Sequence, residues 1–261
     1  MSSSVEAELI YNIANAPVRF FPYPHIYVPE VFPADFYAEM LRNIPDPSVM
    51  IPIEEARDVK GYKERFVLEL NDKYFPKLPE DKRPFWQSFA SWLLSGRFKE
   101  MLLQKFKPVV EQRFRNVQGI EFYDEAMLVE DITKYALGPH SDANRKVVTL
   151  LFYLPRDESQ SHIGTSIYVP KDPKFTCEGG PHYPFEGFTK LVTMPFKPNT
   201  LFSFVKTSTS FHGVEPVVDP DTKRWLLLYD IYARQVQQQR PISWTTAPQQ
   251  QTAPGGVTFR Y

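Results

Sequence analysis

The chain has 261 residues and a formal net charge of -1, a balance that offers no basic stripe to nucleic acid and no cationic face to an anionic membrane. With 43% hydrophobic and 15% aromatic residues, it has material for one large β-rich core. Cys177 is the single cysteine, which excludes an internal disulfide and fits a reducing, cytoplasmic compartment. The opening MSSSVEAELIYNIANA has no basic start followed by an apolar run, so no signal peptide is expected. No window approaches the ~18 uninterrupted apolar residues of a membrane span.

In chain order, Val18 to Val28 carries aromatic and β-branched residues, but Pro22 and Pro24 cannot donate ladder hydrogen bonds, so an edge strand or extended cover is expected. Pro33 pre-sets φ for a first helical turn. Phe36, Met40 and Ile44 recur at four-residue spacing, predicting a helix that Pro45 and Pro47 stop. Ser48 to Arg83 is rich in charge and proline and reads as a loop-rich flap with a short strand at Phe66 to Leu70. Pro84 to Phe114 carries two apolar stripes, Phe85, Phe89, Trp92 and Leu93, then Phe98, Met101, Leu102 and Phe106. Ser95, Gly96 and Pro108 break it into two or three helices, whose apolar faces need the outer face of a sheet.

Glu121 to Thr133 opens a series of strands. Lys146 to Leu154, KVVTLLFYL, is an uninterrupted apolar run of strand length, predicting burial on both faces. Gly164 to Pro170, Leu191 to Phe196 and Leu201 to Val205 follow, the last two around the turn KPNT. Lys171 to Gly187 is too irregular for a strand and is a lid candidate. The run around His212 and RWLLLYDIYA from Arg224 complete the set, joined by the turn composition VDPDTK. The class is mainly β with supporting α: a jelly roll flanked by N-terminal helices. A single domain is expected over residues 1–261, with 1–120 as strand and helical support, 121–234 as the core, and 235–261 as an extended tail rich in Gln, Pro and Thr.

The chemistry concentrates in Leu137 to Tyr153, LGPHSDANRKVVTLLFY. In extended chain His140 and Asp142 share a face, about 7 Å apart along the backbone, so an imidazole nitrogen and a carboxylate oxygen can converge on one ion. His212 in TSTSFHGVEPV is the best third ligand. Two histidines and a carboxylate leave other metal positions open, the arrangement of non-haem Fe(II) oxygenases. Arg224 heads an otherwise apolar strand and must meet an anion or lie at the rim, because an unpaired buried guanidinium costs several kcal/mol.

The ordered set HSD, VVTLLFYL, GTSIYV, NTLFSF, FHGVEPV and KRWLLLYDIY resembles the double-stranded β-helix, a cupin-like barrel, of the Fe(II)/2-oxoglutarate-dependent oxygenases in their prolyl-hydroxylase-like branch. The likeness runs from about Phe122 to Tyr232 and takes in FPYPHIYVPEVFPADFYAEML near the N-terminus. It implies Fe(II) on His140, Asp142 and His212, with 2-oxoglutarate and O2 as co-substrates. Arg224 would then take the far carboxylate of 2-oxoglutarate, and Thr149, Tyr153 and Tyr135 would contact the same molecule. The implied reaction is oxidative decarboxylation to succinate and CO2 with hydroxylation of an unactivated C–H. Halogenating members of the superfamily carry a small residue where this chain has Asp142, which favours hydroxylation, desaturation or ring closure.

Alternatives stand beside this reading. Arg224 could instead salt-bridge an acidic side chain, Lys223 could bind the anion in its place, and Thr149 and Tyr153 could be strand-forming choices only. Arg145 is the candidate for an acidic substrate, although Arg145 and Lys146 also read as strand-end solvent charges. His25, His162 and His182 have no spacing partner and are structural residues or substrate contacts. The loops Ile53 to Arg65, Arg156 to His162 and Lys171 to Phe188 are expected to border the pocket. The substrate expected is a small or tethered metabolite. A cupin-like isomerase or 2-oxoglutarate-independent dioxygenase, or a non-catalytic binding module, would use the same barrel. The sequence does not fix the oligomeric state.

Overall fold

The computed structural model describes residues 2–236. Its frame is two antiparallel sheets, a larger one of seven strands in the order β1-β9-β6-β11-β4-β3-β2 and a smaller one of four in the order β5-β10-β7-β8. The strands are β1 (His25–Val28), β2 (Ile51–Pro52), β3 (Arg65–Glu69), β4 (Ile120–Ile132), β5 (Leu137–His140), β6 (Lys146–Tyr153), β7 (Thr165–Pro170), β8 (Phe188–Met194), β9 (Thr200–Val205), β10 (His212–Val214) and β11 (Lys223–Gln235). The sequential pairs β5/β6, β8/β9 and β10/β11 each switch sheets, which is the winding of a double-stranded β-helix. β1 lies at an edge beside β9, where the nearby prolines interrupt nothing.

The strand β11 shows why the two faces differ. Leu226 and Leu228 enter the barrel interior with Val129, Tyr153 and Phe202. Leu227, Tyr229 and Ile231 point the other way into a layer built with the helices. Those helices are α1 (Ser2–Asn15), α2 (Ala34–Arg42), α3 (Ile53–Ala56), α4 (Arg83–Leu93), α5 (Arg97–Lys105) and α6 (Lys107–Phe114). Gly96 adopts φ +90 at the α4/α5 break, and Pro108 sits in the first turn of α6, where its missing N–H leaves no bond unmade. Trp86, Phe89 and Leu93 of α4, with Phe98 and Leu102 of α5, are buried in this outer core. Full burial of one such side chain contributes roughly 1.5–3 kcal/mol.

Three features differ from the sequence reading. α1 was not foreseen, although Val5, Leu9 and Ile13 repeat every four residues and are buried against the core. The expected flap is more regular than its composition suggests: its expected strand is β3, which joins β4 in the larger sheet, and β2 and the short helix α3 are added to it. The expected tail lies almost wholly outside the described residues. No helix among the described residues is long and apolar enough to cross a membrane.

Candidate metal centre and its arginine pocket

His140 closes β5 and His212 opens β10, and the two are direct cross-strand partners in the smaller sheet. Their rings are 4.3 Å apart. Gly213 makes the pairing possible, because a Cβ there would stand 2.5 Å from the Leu137 carbonyl oxygen. Each imidazole is set by its own backbone: Nδ1 of His140 lies 3.0 Å from the Gly138 carbonyl oxygen and Nδ1 of His212 lies 3.0 Å from that of Ser210. A carbonyl oxygen only accepts, so both Nδ1 atoms carry the proton and both Nε2 lone pairs are left for a ligand.

The Asp142 Oδ1 atom is 3.8 Å from both Nε2 atoms. All three groups are buried, and their ligand atoms fall within 4.8 Å of one another. Burial pushes the His140 imidazole well below its ordinary pKa, and His212 adds to this while Asp142 opposes it. Burial likewise lowers His212 against the pull of Asp142. Desolvation would raise the Asp142 carboxyl, but Lys146, His212, His140 and the Thr149 hydroxyl hold it well below the carboxylate range. Two neutral imidazoles beside an ionised carboxylate are a donor set for one divalent cation, and this set suits ferrous iron.

Support comes from the larger sheet. The Thr149 hydroxyl is 2.8 Å from Asp142 Oδ2 and 3.0 Å from Asp230 Oδ1, and its one proton serves one of them at a time. Lys146 reaches Asp230 at 3.0 Å and Asp142 Oδ1 at 3.6 Å. It is therefore an inward group and not the solvent charge that its strand-end position suggests. Arg145 remains exposed at the pocket mouth, with its guanidinium 5.5 Å from the Tyr232 ring centroid.

These residues line a cavity of about 430 Å³ together with Arg65, Arg224, Tyr62 and His182. Arg224 is 1% exposed. It donates through Nε to the Ile163 carbonyl oxygen at 2.9 Å, through Nη1 to Asp131 at 2.7 Å and through Nη2 toward Thr165 Oγ1 at 3.3 Å. Lys223 faces outward with 58% of its side chain exposed, so strand parity settles which of the two enters the barrel. Asp131 also receives Arg65, at 2.6 Å from Nε and 3.0 Å from Nη2. The register explains the trio: Arg65 and Arg224 both stand directly opposite Asp131, on the strands flanking β4.

The other expected contacts fall differently. Tyr153 does not line the cavity; it packs at a tilt against Phe196, flanks the Arg224 guanidinium, and its hydroxyl accepts the Thr165 N–H at 3.2 Å. Tyr135 also lies behind the wall, with the Arg65 guanidinium 4.5 Å from its ring centroid and a buried hydroxyl that has no hydrogen-bond partner among the described residues. The Arg156 to His162 loop does not border the cavity. It curls into a turn whose end, Ile163, supports Arg224 from outside.

The other two loops do reach the site. The Tyr62 hydroxyl and His182 Nε2 are 2.7 Å apart, and the His182 ring lies 4.7 Å from that of His140. The lid segment is fastened beside the ligands by the Tyr183 N–H on the Pro139 carbonyl oxygen at 2.9 Å and the Ser141 hydroxyl on that of Cys177 at 2.7 Å. Gly179 allows the approach: its φ is +126, and a Cβ would meet the Asp142 carbonyl oxygen at 2.8 Å. Of these neighbours, sequence reading missed Arg65, Asp131 and Tyr62, whose roles depend on pairing across strands and loops.

Comparison with protein-family models finds no match, and comparison with curated proteins finds none. Among solved structures, the chain is similar to a prolyl-4-hydroxylase from Pseudomonas putida, at 16% identity and a TM-score of 0.47 over 88% of this chain and 99% of that one. It is similar to an oxidoreductase of the 2OG-Fe(II) oxygenase family from Burkholderia pseudomallei, at 12% identity and 0.46 over 87% and 89%. A third is a non-haem α-ketoglutarate-dependent carbocyclase from nogalamycin biosynthesis, at 13% identity and 0.48 over 86% and 83%. The double-stranded β-helix and the cluster of His140, Asp142 and His212 agree with the Fe(II)/2-oxoglutarate-dependent oxygenase family that the sequence resembles.

Proposed function

We propose that this chain is an Fe(II)- and 2-oxoglutarate-dependent dioxygenase that hydroxylates an unactivated C–H bond of a small or tethered metabolite, with release of succinate and CO2. The observation that carries the reading is one cavity holding both three convergent ligand atoms and an arginine buried to 1%. When bound, the iron and 2-oxoglutarate together supply the oxidising power that turns O2 toward a C–H bond.

The chain's own part is placement. His140 and His212 offer Nε2 because their backbones occupy Nδ1. Asp142 offers Oδ1, while Thr149 steadies Oδ2. Arg224 receives the far carboxylate of 2-oxoglutarate, held in direction by Ile163 and Thr165 and flanked by Tyr153 and Phe196. A planar guanidinium fork suits that carboxylate. Substrate enters between Tyr62, His182 and Arg145, and an acidic substituent would meet Arg145.

The test is an anaerobic titration with Fe(II) and 2-oxoglutarate, followed under O2 by a metabolite screen for stimulated succinate formation. Binding of both, with succinate that depends on both, is expected. A cupin-like metalloenzyme without 2-oxoglutarate would keep its activity in Arg224→Ala, and a binding module would hold its partner after metal removal. Failure of the purified chain to bind either Fe(II) or 2-oxoglutarate overturns the proposal.

A further inference from the structure

Asp131 is fully buried, yet it answers two guanidiniums. Among the described residues no other carboxylate lies within ion-pair distance of Arg65 or Arg224. Two positive charges and one negative charge leave a surplus of one positive charge on two largely buried side chains that line the cavity, a costly arrangement unless an anion joins it. Arg65 is only 12% exposed and binds Asp131 through the Nε and Nη2 edge. Its Nη1 makes no hydrogen bond among the described residues, although the side chain lines the same cavity as Arg224 and the metal ligands. The Tyr135 hydroxyl, without a hydrogen-bond partner among the described residues, belongs to the ring on which Arg65 rests.

We infer that Arg65 is a second guanidinium of the co-substrate site, so that the far carboxylate of the 2-oxo acid is gripped by Arg65 and Arg224 together while Asp131 holds the two side chains in register. The inference rests on the function proposed above and deepens it. The single surplus charge matches one carboxylate, which selects 2-oxo acids that carry a second carboxylate over those ending in a methyl group. Asp131 is thus a positioning residue, and Arg65 is a binding residue.

The test compares wild type, Arg65→Gln and Arg65→Lys, loaded anaerobically with Fe(II) and titrated with 2-oxoglutarate or with 2-oxopentanoate, which has a methyl in place of the far carboxylate. The readouts are the visible absorbance of a 2-oxo acid chelated to Fe(II) and the heat of binding. Arg65→Gln should weaken 2-oxoglutarate by about 10- to 100-fold, the effect of losing a charge-assisted hydrogen bond. It should leave 2-oxopentanoate and Co(II) binding within about twofold of wild type, and Arg65→Lys should recover part of the loss. Unchanged 2-oxoglutarate binding in Arg65→Gln overturns the inference, and so does an equal loss for both acids, which would mark a merely structural residue. Wild type that binds Fe(II) but no 2-oxo acid overturns the parent proposal too, and that result is visible before any variant is made.

Discussion

His140 and His212 face each other across one rung of the smaller sheet, with rings 4.3 Å apart and both Nδ1 atoms tied to backbone carbonyl oxygens. The ion site is thus set by strand register as much as by side-chain identity. Replacing either histidine with alanine should weaken Co(II) binding by roughly 100-fold or more, beyond the effect expected of a supporting residue. Competition titration with a chromophoric chelator reads this directly, and a variant that retained wild-type affinity would place the metal elsewhere.

Thr149→Val separates the support from the ligand. The change keeps the β-branched shape on β6 and removes the hydroxyl that lies 2.8 Å from Asp142 Oδ2. Metal affinity should fall about 10- to 100-fold, with a stability loss of about 1–3 kcal/mol for the polar contacts left unmade. Chelator competition and urea denaturation measure the two effects on one preparation.

Asp131→Ala should be far more damaging to the fold. It leaves the buried Arg224 and the largely buried Arg65 without their shared carboxylate, a change worth about 3–5 kcal/mol of stability. Thermal melting should show a large drop, and a loss below about 1 kcal/mol would mean that the arginines find other partners.

In the metal-free chain, His25, His140 and His212 titrate below the ordinary imidazole value, burial being the first cause in each. Between the folded and unfolded values the unfolded chain binds more protons. This stabilisation is therefore complete above about pH 6.5 and is lost as pH falls through that value toward the folded one. Urea midpoints measured from about pH 7.5 to about pH 5.5 should decline steadily, whereas a level profile would show these rings to be solvated in the folded state.

Tyr62→Phe removes the hydroxyl that meets His182 at 2.7 Å. Amide exchange should quicken in residues 177–183 of the lid, while Co(II) affinity changes by less than about twofold, because no ligand contact is altered. Slower or unchanged exchange would show that the lid is held without the Tyr62 hydroxyl.

What the sequence disclosed followed the range of each interaction. HSD lies within three residues, and the parity of β11 assigns Arg224 inward and Lys223 outward from local alternation. Lys146 to Leu154 announced a strand buried on both faces. The Arg65 and Asp131 pair was beyond reach, because it joins residues 66 apart through a register that nothing local specifies. α1 is different: the repeat of Val5, Leu9 and Ile13 is local, and its four-residue spacing is the face that the helix buries. Position along the chain directs Tyr135 and Tyr153 toward the co-substrate, and in the fold each lies against an arginine of the site, Tyr135 beside Arg65 and Tyr153 beside Arg224.

The ligand-bearing histidines belong to one sheet, and the threonine, lysine and aspartate that brace Asp142 belong to the other. An ion seated there is a rivet through the seam of the barrel. Stripping it would do more than silence a reaction: it would unpin the short strand of only three residues that carries His212, and let the narrow sheet breathe away from the broad one.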